Sequence, residues 1–150
     1  MNLTHRTADR ARGVAAIEFA LVLPVLVVLM ALPLYLGWYQ YHVVTAHIAA
    51  QNAARYLSKI PQSEIINPFR APAVVAVAQQ IADETLDELK PGYFPPSITI
   101  LCSGSMCAGN TRPRMVSVNI QMTIDDLFFP SITQIRAPIS VTAQVPYLGR

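Results

Sequence analysis

Glu18 follows Gly13 by five positions and stands directly before Phe19, at the head of a long apolar run. A carboxylate costs about 2.5–3.5 kcal/mol near the centre of a membrane helix and less toward the interface. A group retained there calls for a partner. The other residues able to do chemistry are sparse. Cys102 and Cys107 are the only cysteines, close together in Cys102-Ser103-Gly104-Ser105-Met106-Cys107. On the exported side of a membrane such a pair points to a disulfide. Closing so small a ring contributes on the order of 2 kcal/mol. A metal site would need two further soft ligands, and none clusters nearby. A redox-active pair normally has two intervening residues, fewer than this loop holds.

An enzyme is not indicated. His5, His42 and His47 lack metal-ligand spacing, and Ser103 and Ser105 have no histidine and acid nearby in sequence. No glycine-rich phosphate loop follows a strand. Asp83, Glu84, Asp87 and Glu88 form an acidic set at helical spacing, but without a cation-binding loop it reads as a solvated helix face. No catalytic residue, metal or cofactor is expected.

The elements that must position these residues follow from composition. The chain has 150 residues, 53% apolar and only 13% charged, where soluble proteins are nearer 25% charged. The imbalance is local, since no Asp, Glu, Lys or Arg occurs from Phe19 to Gln51. That pattern suits one anchor followed by one small domain. A net charge of +2 offers no basic stripe for nucleic acid. Arg6, Arg10 and Arg12 precede the run, opposed only by Asp9. The positive-inside rule therefore keeps residues 1–13 cytoplasmic and exports the rest.

From Phe19 to Trp38 the run is about twenty residues long, enough to span a bilayer and longer than a secretory signal's apolar core. No convincing cleavage site follows Ala31. Tyr35, Trp38, Tyr39 and Tyr41 suit the far interface. A retained anchor is expected. Pro24 and Pro33 fall within it, and each removes a backbone hydrogen bond; they read either as tolerated kinks or as points where the helix bends on leaving lipid for an assembly.

The block Arg12-Gly13-Val14-Ala15-Ala16-Ile17-Glu18-Phe19, followed by Leu23-Pro24 and the apolar helix, resembles the start of a TadE-like minor pseudopilin of the tight-adherence (Tad, or Flp-type) pilus systems. The close likeness runs from about Arg10 to Ala54. It implies cleavage by a membrane-embedded prepilin peptidase between Gly13 and Val14, making Glu18 the fifth residue of the mature chain. The new α-amino group on Val14 would be cationic at neutral pH, its reference pKa being about 7.7–8.0. Glu18 lies one helical turn further on. Opposite charges attract strongly where water is scarce, and each alone is expensive to bury. One subunit's Glu18 would then neutralise another's Val14 amine and set the register of packed helices.

Beyond Trp38 the helix pattern continues through Ala46, Ala49, Ala50, Ala53 and Ala54. A helix over 14–58 would be roughly 65–70 Å long. The alanine stripe has two readings, close approach of another helix or packing on the protein's own sheet. Pro61 and Pro68 bracket a loop. A second helix is expected from about Pro72 to Leu89, with Val74, Val77, Ala78, Ile81, Ala82 and Leu86 inward, and Pro91-Gly92 ending it. Strands are expected at Ser97–Cys102, Met115–Ile124 and Ile139–Val145. Pro138 marks an edge or a strand start. Leu127-Phe128-Phe129-Pro130 reads as a greasy turn.

The expected fold is α+β: a long N-terminal transmembrane helix extending into a small exported domain, with a second helix on a short, three-stranded antiparallel sheet. The expected divisions are a basic leader over 1–13, a transmembrane and protruding helix over 14–58, and a periplasmic or extracellular domain over 59–150. The resemblance implies a non-enzymatic pilus-assembly subunit in adhesion or secretion, TadE-like or TadF-like. Its partners would be the bacterial inner membrane, the prepilin peptidase, other pilin or pseudopilin subunits and the assembly platform. The alternative is an uncleaved single-pass envelope protein whose exported domain binds another secretion or envelope component.

Overall fold

The computed structural model describes residues 4–89, 95–110, 112–126 and 136–149, with side chains from Ala16 onward. Helix α1 covers Thr4–Lys59, α2 Gln62–Ile65 and α3 Ala71–Asp87. The strands are β1 Ser97–Cys102, β2 Ser105–Met106, β3 Met115–Asp125 and β4 Arg136–Pro146. The chain forms two compact units, Met1–Trp38 and Tyr39–Arg150.

In the first unit, α1 remains helical through Pro24 and Pro33. Every side chain from Ala16 to Met30 is exposed. The apolar window of the helix has a mean hydropathy of 2.6, and none of it is buried within the chain. Leu21, Val28 and Met30 are each at least two-thirds exposed. Surface of this kind in contact with water would forgo about 25 cal/mol per Å², so hydrocarbon is the solvent that matches it. This helix has the composition of a single-pass membrane anchor.

The second unit is built on one antiparallel sheet in the order β2-β1-β3-β4. β3 alternates strictly, with Val116, Val118, Ile120, Met122 and Ile124 buried. Ile139, Val141 and Ala143 of β4 lie on the same face. The opposite face carries Ser117, Asn119, Gln121 and Thr123, and the Asn119 side-chain amide donates to Thr142 Oγ1 at 2.8 Å. Period-two alternation in the sequence thus produces a one-sided core. β4 is an edge strand, which is where Pro138 is tolerated, opposite Thr123.

The sheet has four strands rather than the expected three. The additional one, β2, is a two-residue return of the chain inside the cysteine loop, pairing Met106 with Leu101 and Ser105 with Cys102. Ser103 (φ 52°) and Gly104 (φ 89°) both take positive φ, the conformation a two-residue hairpin turn requires. The pair is too short to leave an alternation pattern in the sequence.

α3 starts with Pro72 in its first turn and buries Ala71, Val74, Ala78, Ala82 and Leu86. Ile81 is half-buried and Val77 is 42% exposed, which corrects the expected inward placement of Val77. With 3.6 residues per turn, a narrow 74-78-82-86 row suffices against the sheet, and position 77 turns outward. In α1 all five alanines of the stripe, together with Leu57, are completely buried within the chain. The stripe is thus buried within the protein's own fold. The expected helix end at Pro91-Gly92 and the turn at Leu127–Pro130 lie outside the described residues.

Candidate processing and assembly site

The backbone of α1 passes through Gly13 and Val14 and carries Glu18 one turn later. Four residues of helix advance about 6 Å, so Glu18 and the Val14 nitrogen lie a turn apart along one side. Glu18 is exposed, and no ion pair involves it among the described residues. Ile17, at 65%, and Phe19, at 62% exposed, flank it. In lipid this is a carboxylate between apolar side chains, with no ion pair among the described residues.

The remaining candidates have structural roles. Cys102 and Cys107 are disulfide-bonded. Ser103 Oγ accepts from the Arg114 backbone N–H at 2.8 Å, and Ser105 Oγ donates to the Cys102 carbonyl at 3.3 Å. Both serines therefore hold the hairpin. No group of three His, Cys, Asp or Glu side chains able to hold a metal occurs among the described residues. His47 is exposed, whereas His42 is 1% exposed. Sequence reading placed His42 simply beside the membrane; its spacing of four from Ala46 shows that it heads the buried row of α1.

Two long-range contacts have no local signal in the sequence. The Tyr147 hydroxyl donates to the Ile60 carbonyl at 2.7 Å, and the Leu148 N–H donates to the Ser58 carbonyl at 2.9 Å. These satisfy carbonyls at and just past the end of α1, which a helix leaves unpaired. Burial raises the Tyr147 phenol above its ordinary pKa of 10.0, with Arg112 pulling the other way. From the other side, the Asn110 N–H donates to the Ile66 carbonyl at 2.8 Å. Gly109 (φ 82°) lies so close to Pro68 that a Cβ there would sit 2.7 Å from the proline Cα. The loop after α1 is thus clamped by the C-terminal segment and by the disulfide loop.

Residues 13–55 match the family model of TadE-like protein. The match takes in Gly13, Glu18, the apolar helix and the alanine stripe, and supports a TadE-like protein of the Tad pilus kind. No curated protein and no solved structure matches the chain.

Proposed function

We propose that the chain is a TadE-like minor pseudopilin, cut by a prepilin peptidase between Gly13 and Val14 and then used in assembling a Tad-type pilus. The observation that carries this reading is Glu18 itself. Between Gly13 and Arg55 it is the sole charged side chain, five positions beyond a glycine that follows a basic segment. An anchor with no assembly role gains nothing from a carboxylate at that depth. A subunit whose neighbour supplies a cationic chain end does gain, because the pair is stabilised most where each charge alone is least tolerated.

Gly13 also suits the cut. A peptidase must unwind the helix to reach the scissile bond, and glycine lowers local helix stability by about 1 kcal/mol relative to alanine. Arg6, Arg10 and Arg12 support a cut on the cytoplasmic side, with residues 39–150 exported in this reading. There the disulfide is chemically stable. The partners in this reading are the inner membrane, the peptidase, other pilin or pseudopilin subunits and the assembly platform. Adhesion or secretion is the service such a filament performs. Intact-mass measurement on the membrane protein from peptidase-competent cells tests the reading: a chain starting at Val14 is expected, and an uncut chain contradicts it.

A further inference from the structure

Charge in the Tyr39–Arg150 unit is sorted to opposite ends. Arg114 immediately precedes β3, and its carbonyl accepts from the Tyr147 N–H at 3.0 Å. Leu148, next in the chain, bonds to Ser58 beside Lys59, so Arg112, Arg114 and Lys59 gather where α1 and β4 finish. α3 begins at this same end, because Ile66 and Pro68 are held by Asn110 and Gly109. It then runs 17 residues, about 25 Å, away from it. Its last two turns and the Glu88 that caps it expose Asp83, Glu84, Asp87 and Glu88. The chain next enters β1 at Ser97, opposite Gln121, toward the Asp125 end of β3.

The sorting is not cancelled locally. Arg70 pairs with Glu64 at the basic end and Arg136 with Asp125 at the acidic end, leaving each end an excess among the described residues. Among the described residues none of Asp83, Asp87, Glu88, Lys59, Arg112 or Arg114 is in an ion pair; Glu84 accepts only from Gln80. At about 25 Å the poles are separated by more than two screening lengths at 0.1 M salt, about 10 Å each. Each pole therefore presents itself to the outside rather than to the other.

We infer that this unit associates head to tail with a second copy of itself, the Arg112–Arg114 end of one against the acidic α3 end of the next. Two copies in the same orientation meet with opposite charge. Inverted copies meeting end to end would bring like poles together, and copies inverted side by side would stop at a dimer instead of growing with concentration. A contact between two different patches does not close on itself as a two-fold dimer does, and repeats into a chain. The inference deepens the assembly reading by naming the surfaces and the partner, yet it does not depend on cleavage at Gly13.

Full-length protein in detergent micelles tests it by sedimentation across a concentration series. Wild type is expected to grow in mass with concentration at low salt and to associate roughly tenfold more weakly in 0.5 M salt, where the screening length falls to a few ångström. Glu84→Lys with Asp87→Lys cancels the acidic excess of α3 and leaves the basic end intact, and Arg112→Glu with Arg114→Glu cancels the basic excess and leaves the acidic end intact. Each alone stays monomeric, and mixing them restores association. A second pairing, Asp83→Lys with Glu88→Lys against Lys59→Glu with Arg55→Glu, the exposed arginine one turn before Lys59 on α1, repeats the test at independent positions. Wild type that stays monomeric at low salt, or mixtures no better than their components in both pairings, overturns the inference. A Val14 start in such a protein would leave the processing reading standing.

Discussion

The Tyr147 hydroxyl donates to the Ile60 carbonyl at 2.7 Å, tying the residues just after β4 to the turn that ends α1. Tyr147 is 7% exposed, so the bond is made where an unpaired carbonyl is costly. Tyr147→Phe is expected to lower the stability of the Tyr39–Arg150 unit by about 1 kcal/mol, read as a shift in the urea midpoint with unchanged slope. No shift would mean that the carbonyl is equally well served by water.

The same bond gives an alkaline limb to stability. Burial holds the folded-state pKa of Tyr147 above 10.0, so the folded state binds that proton more tightly than the unfolded state. The contribution is fully present below about pH 10 and lost as pH rises through the folded value. Wild type is expected to lose stability over that window more steeply than Tyr147→Phe, measured as urea midpoints against pH. Parallel curves would show that another group governs the limb.

Gly149→Ala probes the same junction sterically. A Cβ at position 149 would overlap both the Ile60 carbonyl oxygen and the Tyr147 phenol. Backbone cannot retreat as a flexible side chain can, and overpacking of this sort costs about 1–3 kcal/mol. The thermal midpoint of Gly149→Ala should therefore fall at least as far as that of Tyr147→Phe. A neutral result would show that the C-terminal segment is free to move.

Glu18→Ala is expected to leave membrane insertion and cleavage intact while filament assembly falls sharply, scored by shed or surface pili in cells carrying the variant. Removing the carboxylate also removes its burial cost, so anchor stability should rise rather than fall. Normal piliation would leave Glu18 without its proposed partner.

Much of the fold was legible because β-branched alternation and proline punctuation are local signals. Ser97–Cys102 and the Met115 start of β3 could be read directly, as could Pro72 in the first turn of α3. β2 was not legible, since two residues held by a turn and a disulfide carry no period. The alanines from Ala46 to Ala54 were ambiguous for a physical reason: small side chains permit close packing on a sheet or on another helix alike. Val77 was misplaced because apolar neighbours at 74, 77 and 78 widen the apparent stripe beyond what the sheet covers. His42, Tyr147 and Gly149 act through contacts across the fold, which no sequence window contains. In the proposed processing segment, Gly13 and Glu18 are chosen on their spacing along one helix, a relation that a sequence window contains.

The central claim, a chain end created at Val14 to meet Glu18, is tested most directly by the mass of the mature N-terminus. Membrane protein from peptidase-competent cells is expected to yield an N-terminal peptide beginning at Val14, while peptidase-deficient cells retain residues 1–13. Residues 1–13 still attached in competent cells would contradict the account, and the protein would then be an uncleaved single-pass anchor.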